Sequence, residues 1–133
     1  MTIYMLDTNT VSYLLKQHQT VMQRIQQVPI SALCISAITE GELCFGLAKR
    51  PNNKSLHLAV EEMLKRFDVL PWSSSTAQIY GRLRQILETN GKPLASLDML
   101  IAAHAMEVGA ILVTSDKAFL QIKGIKIEDW TID

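Results

Sequence analysis

Ile3-Tyr4-Met5-Leu6-Asp7-Thr8-Asn9-Thr10 is a short apolar run stopped by a carboxylate and followed by three small polar residues. Val11, Tyr13, Leu14 and Leu15 then restart the apolar pattern. This order reads as a buried strand, a tight turn and the start of a helix. Asp7 falls at the carboxyl end of that strand, which is where open α/β sheets bind ligands. The same grammar recurs along the chain. Leu33-Cys34-Ile35, Asp68-Val69-Leu70-Pro71, Ala110-Ile111-Leu112-Val113 and Gly124-Ile125-Lys126-Ile127 are four more short strand candidates.

Helical spacing fills the intervals. Val21, Ile25 and Val28 trace one piece that ends at Pro29. A helix over 37–48 is expected to point Ile38, Leu43, Leu47 and Ala48 inward. Leu56, Val60, Met63, Leu64 and Phe67 mark another, and Ala77, Tyr80, Leu83 and Leu87 a longer one that ends at Asn90-Gly91. Lys92-Pro93-Leu94-Ala95-Ser96 reads as a loop. The helix over 97–108 is apolar nearly all round, so it is expected to be buried, and Gly109 ends it. Ala118, Phe119 and Leu120 suggest a short helical turn, and Trp130 a C-terminal anchor. Strands alternating with helices argue for the α/β class, a parallel sheet covered on both faces. The long helical stretch between the third and fourth strands is where such a chain crosses to the other half of the sheet. If the chain crosses there, strands one and four become neighbours with the switch point between their carboxyl ends, and Asp7 and Asp116 stop those two strands.

Composition bounds the rest. At 133 residues and 48% apolar, the chain is expected to form one domain over 1–133. No apolar run approaches the roughly 20 residues of a membrane helix, and no secretory pattern opens the chain. A cytoplasmic protein is the expectation, with Cys34 and Cys44 as reduced, buried thiols. Thirteen basic residues balance thirteen acidic ones, so net charge does not advertise a nucleic-acid binder. Four acids withdrawn into one pocket would leave the remaining surface basic.

Those four are Asp7, Glu42, Asp98 and Asp116. Singly, each has an ordinary explanation. Asp7 and Asp116 suit helix caps. Thr39-Glu40-Gly41-Glu42 fits a capping box in which Glu42 reaches back to a backbone amide. Asp98 complements a helix dipole. Together they stand near element starts that the sheet brings to one edge. Converging like charges repel, and a cation relieves them. Oxygen-only ligation suits Mg²⁺ or Mn²⁺, which act on phosphoryl groups and water. Around them, Asn9 fits either a turn or a group that orients a ligand. Thr8 and Ser115 fit caps or phosphate contacts. Lys49, Arg50, Lys54, Arg82, Arg84 and Lys92 fit phosphate contacts or a solvated surface. Trp72 and Tyr80 fit base stacking or core packing. His104 reads as a core histidine with a local partner.

Met5-Leu6-Asp7-Thr8-Asn9, the stretch 36–43, the stretch 98–105 and Val113-Thr114-Ser115-Asp116 resemble the four blocks of PIN-domain ribonucleases, and most closely the VapC toxins of bacterial VapBC toxin–antitoxin pairs. The blocks appear in order over the whole chain, which makes the resemblance specific. It implies a three-layer α/β/α PIN-like fold on a five-stranded parallel sheet. It implies that Asp7, Glu42, Asp98 and Asp116 form an acidic quartet that binds Mg²⁺ or Mn²⁺, supported by Asn9 and by Thr114 or Ser115. It selects Glu42 over Glu40, because the family's acid precedes the leucine. Some relatives carry Asn at the fourth position, which implies that Asp116 is the least essential member. It further implies an endoribonuclease acting on structured RNA, tRNA in several members, to stop translation. A VapB-type antitoxin partner, a homodimer and a larger assembly with the antitoxin belong to the same expectation. A housekeeping RNA-processing nuclease and a non-catalytic RNA- or protein-binding module are the alternatives on this fold. A haloacid-dehalogenase-type phosphatase also places an Asp after strand one, but it requires a second Asp where this chain has Asn9.

Overall fold

A computed structural model describes residues 1–92 and 94–132. Pro93, in the expected loop before the buried helix, lies outside the described residues. The elements run β1 (Tyr4–Leu6), α1 (Thr8–Leu15), α2 (Gln19–Gln26), a 3₁₀ turn (Ile30–Ala32), β2 (Leu33–Ser36) and α3 (Ala37–Ala48). They continue with α4 (Lys54–Arg66), β3 (Asp68–Leu70), α5 (Ser74–Thr89), α6 (Ser96–Val108), β4 (Ile111–Val113), a 3₁₀ turn (Lys117–Gln121) and β5 (Ile127–Glu128). All the strand pairs are parallel, in the order β3-β2-β1-β4-β5. β1 is therefore central. It pairs with β2 through Tyr4–Leu33 and Met5–Cys34, and with β4 through Tyr4–Ile111 to Leu6–Val113.

Adjacent residues of these strands face opposite layers, as the pleat requires. Met5, Cys34 and Leu112 pack with Leu83, Leu87 and Met99 from α5 and α6. Leu6, Ile35 and Val113 pack with Val11, Val21 and Val60 from α1, α2 and α4. Because both faces are covered, the strands read as continuous apolar runs. α6 fills one layer: Ile101, Ala102, Ala103 and Ala105 are at most 1% exposed. Its alanines allow the backbone close to the sheet, and Gly109 ends it with a left-handed φ of +69°. Trp130 anchors the C-terminus, buried against Tyr4 at 5.3 Å and donating from Nε1 to Glu128 at 2.9 Å.

Several expectations are corrected. β5 lies at Ile127–Glu128, not over 124–127, because Gly124 (φ +85°) still belongs to a turn. Ala48 is exposed, and so is Cys44, which faces outward on α3 while Cys34 is buried. Burial in the sheet pushes the Cys34 thiol up to about 12. The proposed capping box at Thr39 does not form. The cap lies three residues earlier, at Ser36, whose Oγ accepts from the Ile38 N–H at 3.1 Å. His104 is a core histidine, but its partner is remote. Its Nδ1 lies 2.7 Å from the Ser36 Oγ, 68 residues away. That bond ties α6 to the start of α3.

Candidate active site

The carboxyl ends of β1 and β4 frame the site. Asp7 follows β1 directly, and its backbone N–H donates to the Val113 carbonyl at 3.1 Å. The Thr10 hydroxyl donates to the same carbonyl at 3.0 Å. This stitching fixes where the Asp7 side chain emerges. Its Oδ1 caps α1 by accepting from the Thr10 N–H at 2.8 Å. Asp7 is 3% exposed, and burial raises its carboxyl from the ordinary 3.8. Neighbouring Thr114 and Thr10 offset part of that rise, and the charge of Asp116 adds to it.

Asp116 is the exposed counterpart after β4. Its Oδ1 accepts from the Ala118 N–H at 2.9 Å, capping the 3₁₀ turn, and its own N–H donates to the buried Thr114 Oγ1 at 3.1 Å. The capping explanation thus holds for both aspartates. It does not compete with a functional role, since a cap occupies one carboxylate oxygen and leaves the other.

Glu42 projects from the second turn of α3. Its Oε1 accepts from the Thr8 hydroxyl at 2.6 Å, the length of a charge-assisted bond. Thr8 thereby links α1 to α3. Its expected roles were cap or phosphate contact; holding Glu42 is the role sequence reasoning missed. Asp98 sits in the first turn of α6, partly buried, after a helix start at Ala95 that has no side-chain cap. Burial raises its carboxyl above the ordinary 3.8, and the charges of Asp116, Asp7 and Glu42 push the same way, in that order. The charges of the other three expected acids therefore all reach Asp98.

No protein cation balances them: among the described residues the ion pairs are Arg24–Glu128, Lys65 with Glu61 and Glu62, and Arg84–Glu88. Nor, among the described residues, are three acid, His or Cys side chains gathered into a closed metal-ligand set. The charges of the other three acids reach Asp98, yet no three of the four carboxylates come close enough to hold an ion directly. That arrangement fits an ion that keeps part of its water shell, as Mg²⁺ does when one or two carboxylates hold it.

The supporting residues divide. Thr114 is buried beside Asp7, Ser115 is partly exposed, and Asn9 is exposed with no side-chain hydrogen bond among the described residues. Glu40, one turn earlier than Leu43 on α3, is partly exposed and takes no part in the Thr8 bond. Trp72 and Tyr80 pack edge-on to each other, with the Trp72 Nε1 donating to the Leu100 carbonyl at 3.0 Å, so packing occupies both rings. Of the candidate cations, Arg50 lines the groove that holds Thr8 and Glu42, Lys49 lies over the Phe45 ring at 4.5 Å, and Arg82 and Lys92 line a separate groove.

Comparison with known proteins agrees with this architecture. Residues 4–125 match the PIN domain. The tRNA(fMet)-specific endonuclease VapC of Salmonella typhimurium is 34% identical over 128 residues, covering 96% of this chain and 97% of that protein. Ribonuclease VapC1 of Haemophilus influenzae is 34% identical over 132 residues, covering 97% and 98%. Among solved structures, DNA-bound VapBC from Salmonella typhimurium superposes with a TM-score of 0.90 at 35% identity, covering 98% of this chain and 99% of that one. VapBC2 from Rickettsia felis, bound to a DNA fragment from its promoter, gives a TM-score of 0.90 at 29% identity, covering 97% and 99%. A five-stranded parallel sheet between helical layers, four acids at its switch point and these matches lead to one conclusion: the chain belongs to the PIN-domain family.

Proposed function

We propose that this protein is the toxin ribonuclease of a toxin–antitoxin pair and hydrolyses RNA phosphodiester bonds with the help of Mg²⁺ or Mn²⁺. One observation carries the reading. Burial and the charge of Asp116 raise the Asp7 carboxyl, burial and the charges of Asp116, Asp7 and Glu42 raise the Asp98 carboxyl, and no Lys or Arg among the described residues pairs with any of the four acids. Such a cluster persists at neutral pH by holding a cation. Asp7 and Asp98 would be its main ligands, with Asp116 and Glu42 completing the shell. Bound by these residues, a divalent ion would supply Lewis-acid polarisation of a phosphoryl oxygen and acidify the attacking water.

The chain's own residues do the remainder. Glu42, held by Thr8, accepts the proton of the attacking water. Asp7, fixed by its cap on α1, keeps the ligand cluster from collapsing. Attack on phosphorus with departure of the 3′ oxygen leaves a 5′-phosphate and a 3′-hydroxyl. The relatives' names make tRNA the first substrate to try. A VapB-type antitoxin is the inferred partner, because the similar solved structures are VapBC complexes. A homodimer would use apolar surface such as Phe45 on α3, 63% exposed, and Leu97 on α6, 44% exposed.

The test is Asp7→Asn. Asn caps a helix as well as Asp, so the fold should survive. RNA cleavage should fall by at least about 10²-fold, and EDTA should stop the parent protein, since metal stabilisation is worth several kcal/mol. Wild-type cleavage by the variant, or full activity in chelator, would overturn the reading.

A further inference from the structure

A groove of about 380 Å³ opens from the acidic site between α1, α3 and α4. Thr8 and Glu42 form its inner end, Lys16 and Arg50 its outer end, and Leu47 and Leu56 part of its apolar wall. Its volume lies in the range of ordinary small-ligand clefts. The charges along it are ordered. Glu42 is the one acid in the lining, at the end that would face a metal ion. Lys16 and Arg50 are exposed and in no ion pair among the described residues.

The outer end is also fixed in place. The Arg50 carbonyl lies 3.0 Å from His57 Nε2, and the Asn53 side chain caps α4 by accepting from the Leu56 N–H at 3.1 Å. Helix dipoles favour a cation at the C-terminus of α1, where Lys16 sits. They do not require that it share one groove with Arg50 from the far end of α3, next to Glu42.

We infer that this groove is the track for the RNA strand beside the scissile phosphate, with Lys16 and Arg50 as positioning residues that hold its backbone phosphates. The inference rests on the ribonuclease reading and adds the direction in which the strand leaves the site. A polyanion suits the basic outer end, and the leucine wall offers an apolar surface to a ribose or base face. Phosphate contacts of this kind fix register without reading sequence.

The experiment measures binding of a fluorescein-labelled oligouridine by anisotropy, at two salt concentrations, in the cleavage-deficient Asp98→Asn background. Adding Lys16→Glu with Arg50→Glu should weaken binding about tenfold or more. It should also reduce the salt slope by roughly 1.4, which is two contacts at about 0.7 each for a single strand. Lys123→Glu, in a separate groove, serves as the control and should leave both unchanged. Both replaced side chains are exposed, so the melting temperature should hold. In the active protein, Lys16→Ala with Arg50→Ala should raise KM and leave kcat within about twofold, the signature of lost uniform binding.

Unchanged affinity and salt slope overturn the inference. So does a variant that keeps RNA affinity and loses affinity for the antitoxin chain, which would assign the groove to a protein partner. Cleavage by the parent protein with unaltered binding by the double variant refutes the track alone. Weakened binding by the double variant in a chain that never cleaves RNA supports the track and refutes the nuclease reading.

Discussion

Replacing Thr8 by Val removes one hydroxyl and preserves the branched shape of the side chain. The bond lost is the 2.6 Å contact to Glu42 Oε1. Hydrogen bonds to a charged group contribute about 1.5–3 kcal/mol. Both partners are partly exposed, so water replaces some of the loss, and the lower figure of about 1.5 kcal/mol applies. At about 1.4 kcal/mol per decade this is roughly tenfold in rate or affinity. The same size follows from another direction, since partners that orient a metal-binding group change metal affinity or activity by about 10–100-fold. The assay is the initial rate of RNA cleavage as a function of Mn²⁺, for the parent, Thr8→Val and Thr8→Ser. Thr8→Val should raise the half-saturating Mn²⁺ or lower the plateau rate about tenfold. Thr8→Ser, which keeps the donor, should recover most of the loss. A Thr8→Val protein that titrates and cleaves like the parent refutes the argument. So does a Thr8→Ser protein as impaired as Thr8→Val, because shape and not the donor would then be responsible.

Asp98→Asn should stabilise the metal-free protein at neutral pH while abolishing cleavage. The fold raises the Asp98 carboxyl above 3.8, so the folded state binds the extra proton as pH rises past 3.8. Stability of the metal-free protein therefore falls across that interval, and melting curves against pH should show a smaller fall for Asp98→Asn. A steeper fall in the variant contradicts the sign. Asp116→Asn should be the mildest of the four acid substitutions in cleavage assays, because Asp116 is exposed and Asn retains the cap on Ala118. A loss as large as that of Asp7→Asn would make Asp116 an essential ligand. Trp130→Ala should destabilise by about 3–5 kcal/mol in urea unfolding, as buried aromatic truncations do. A change under about 1 kcal/mol would mean the C-terminal anchor is dispensable.

What the sequence made legible follows from how much each signal is local. β1, β2 and β4 are buried on both faces, so their apolar runs stand out, and the long helical stretch before β4 marked where a crossover would bring it beside β1, as it does. The four acids were found because each lies beside an element boundary. β5 was misplaced because an edge strand of two residues carries little pattern, and Gly124-Ile125 next to it looks equally suitable. Cys44 and Ala48 were put inside because α3 is apolar around most of its circumference, so periodicity does not reveal its outer face. The Thr8–Glu42 and Ser36–His104 bonds left no trace in local spacing, since their partners are 34 and 68 residues apart. Short polar residues such as Thr8 and Ser36 look alike as caps in one dimension. Only the folded chain shows that each also reaches a second helix.

The central place of β1 has a consequence for the order of events during synthesis. The first strand made is the one that cannot be completed early. Its hydrogen-bonded neighbour on one side, β4, ends at Val113, and the Thr10–Val113 bond that steadies the turn after Asp7 spans 103 residues. At about 5–20 residues per second, roughly 5–20 seconds separate the two ends of that bond during translation. Throughout that time β1 has an open edge and Asp7 has no Asp116 beside it. Any chemistry that needs Asp7 beside Asp116 thus waits until β4 has been made, more than a hundred residues after β1.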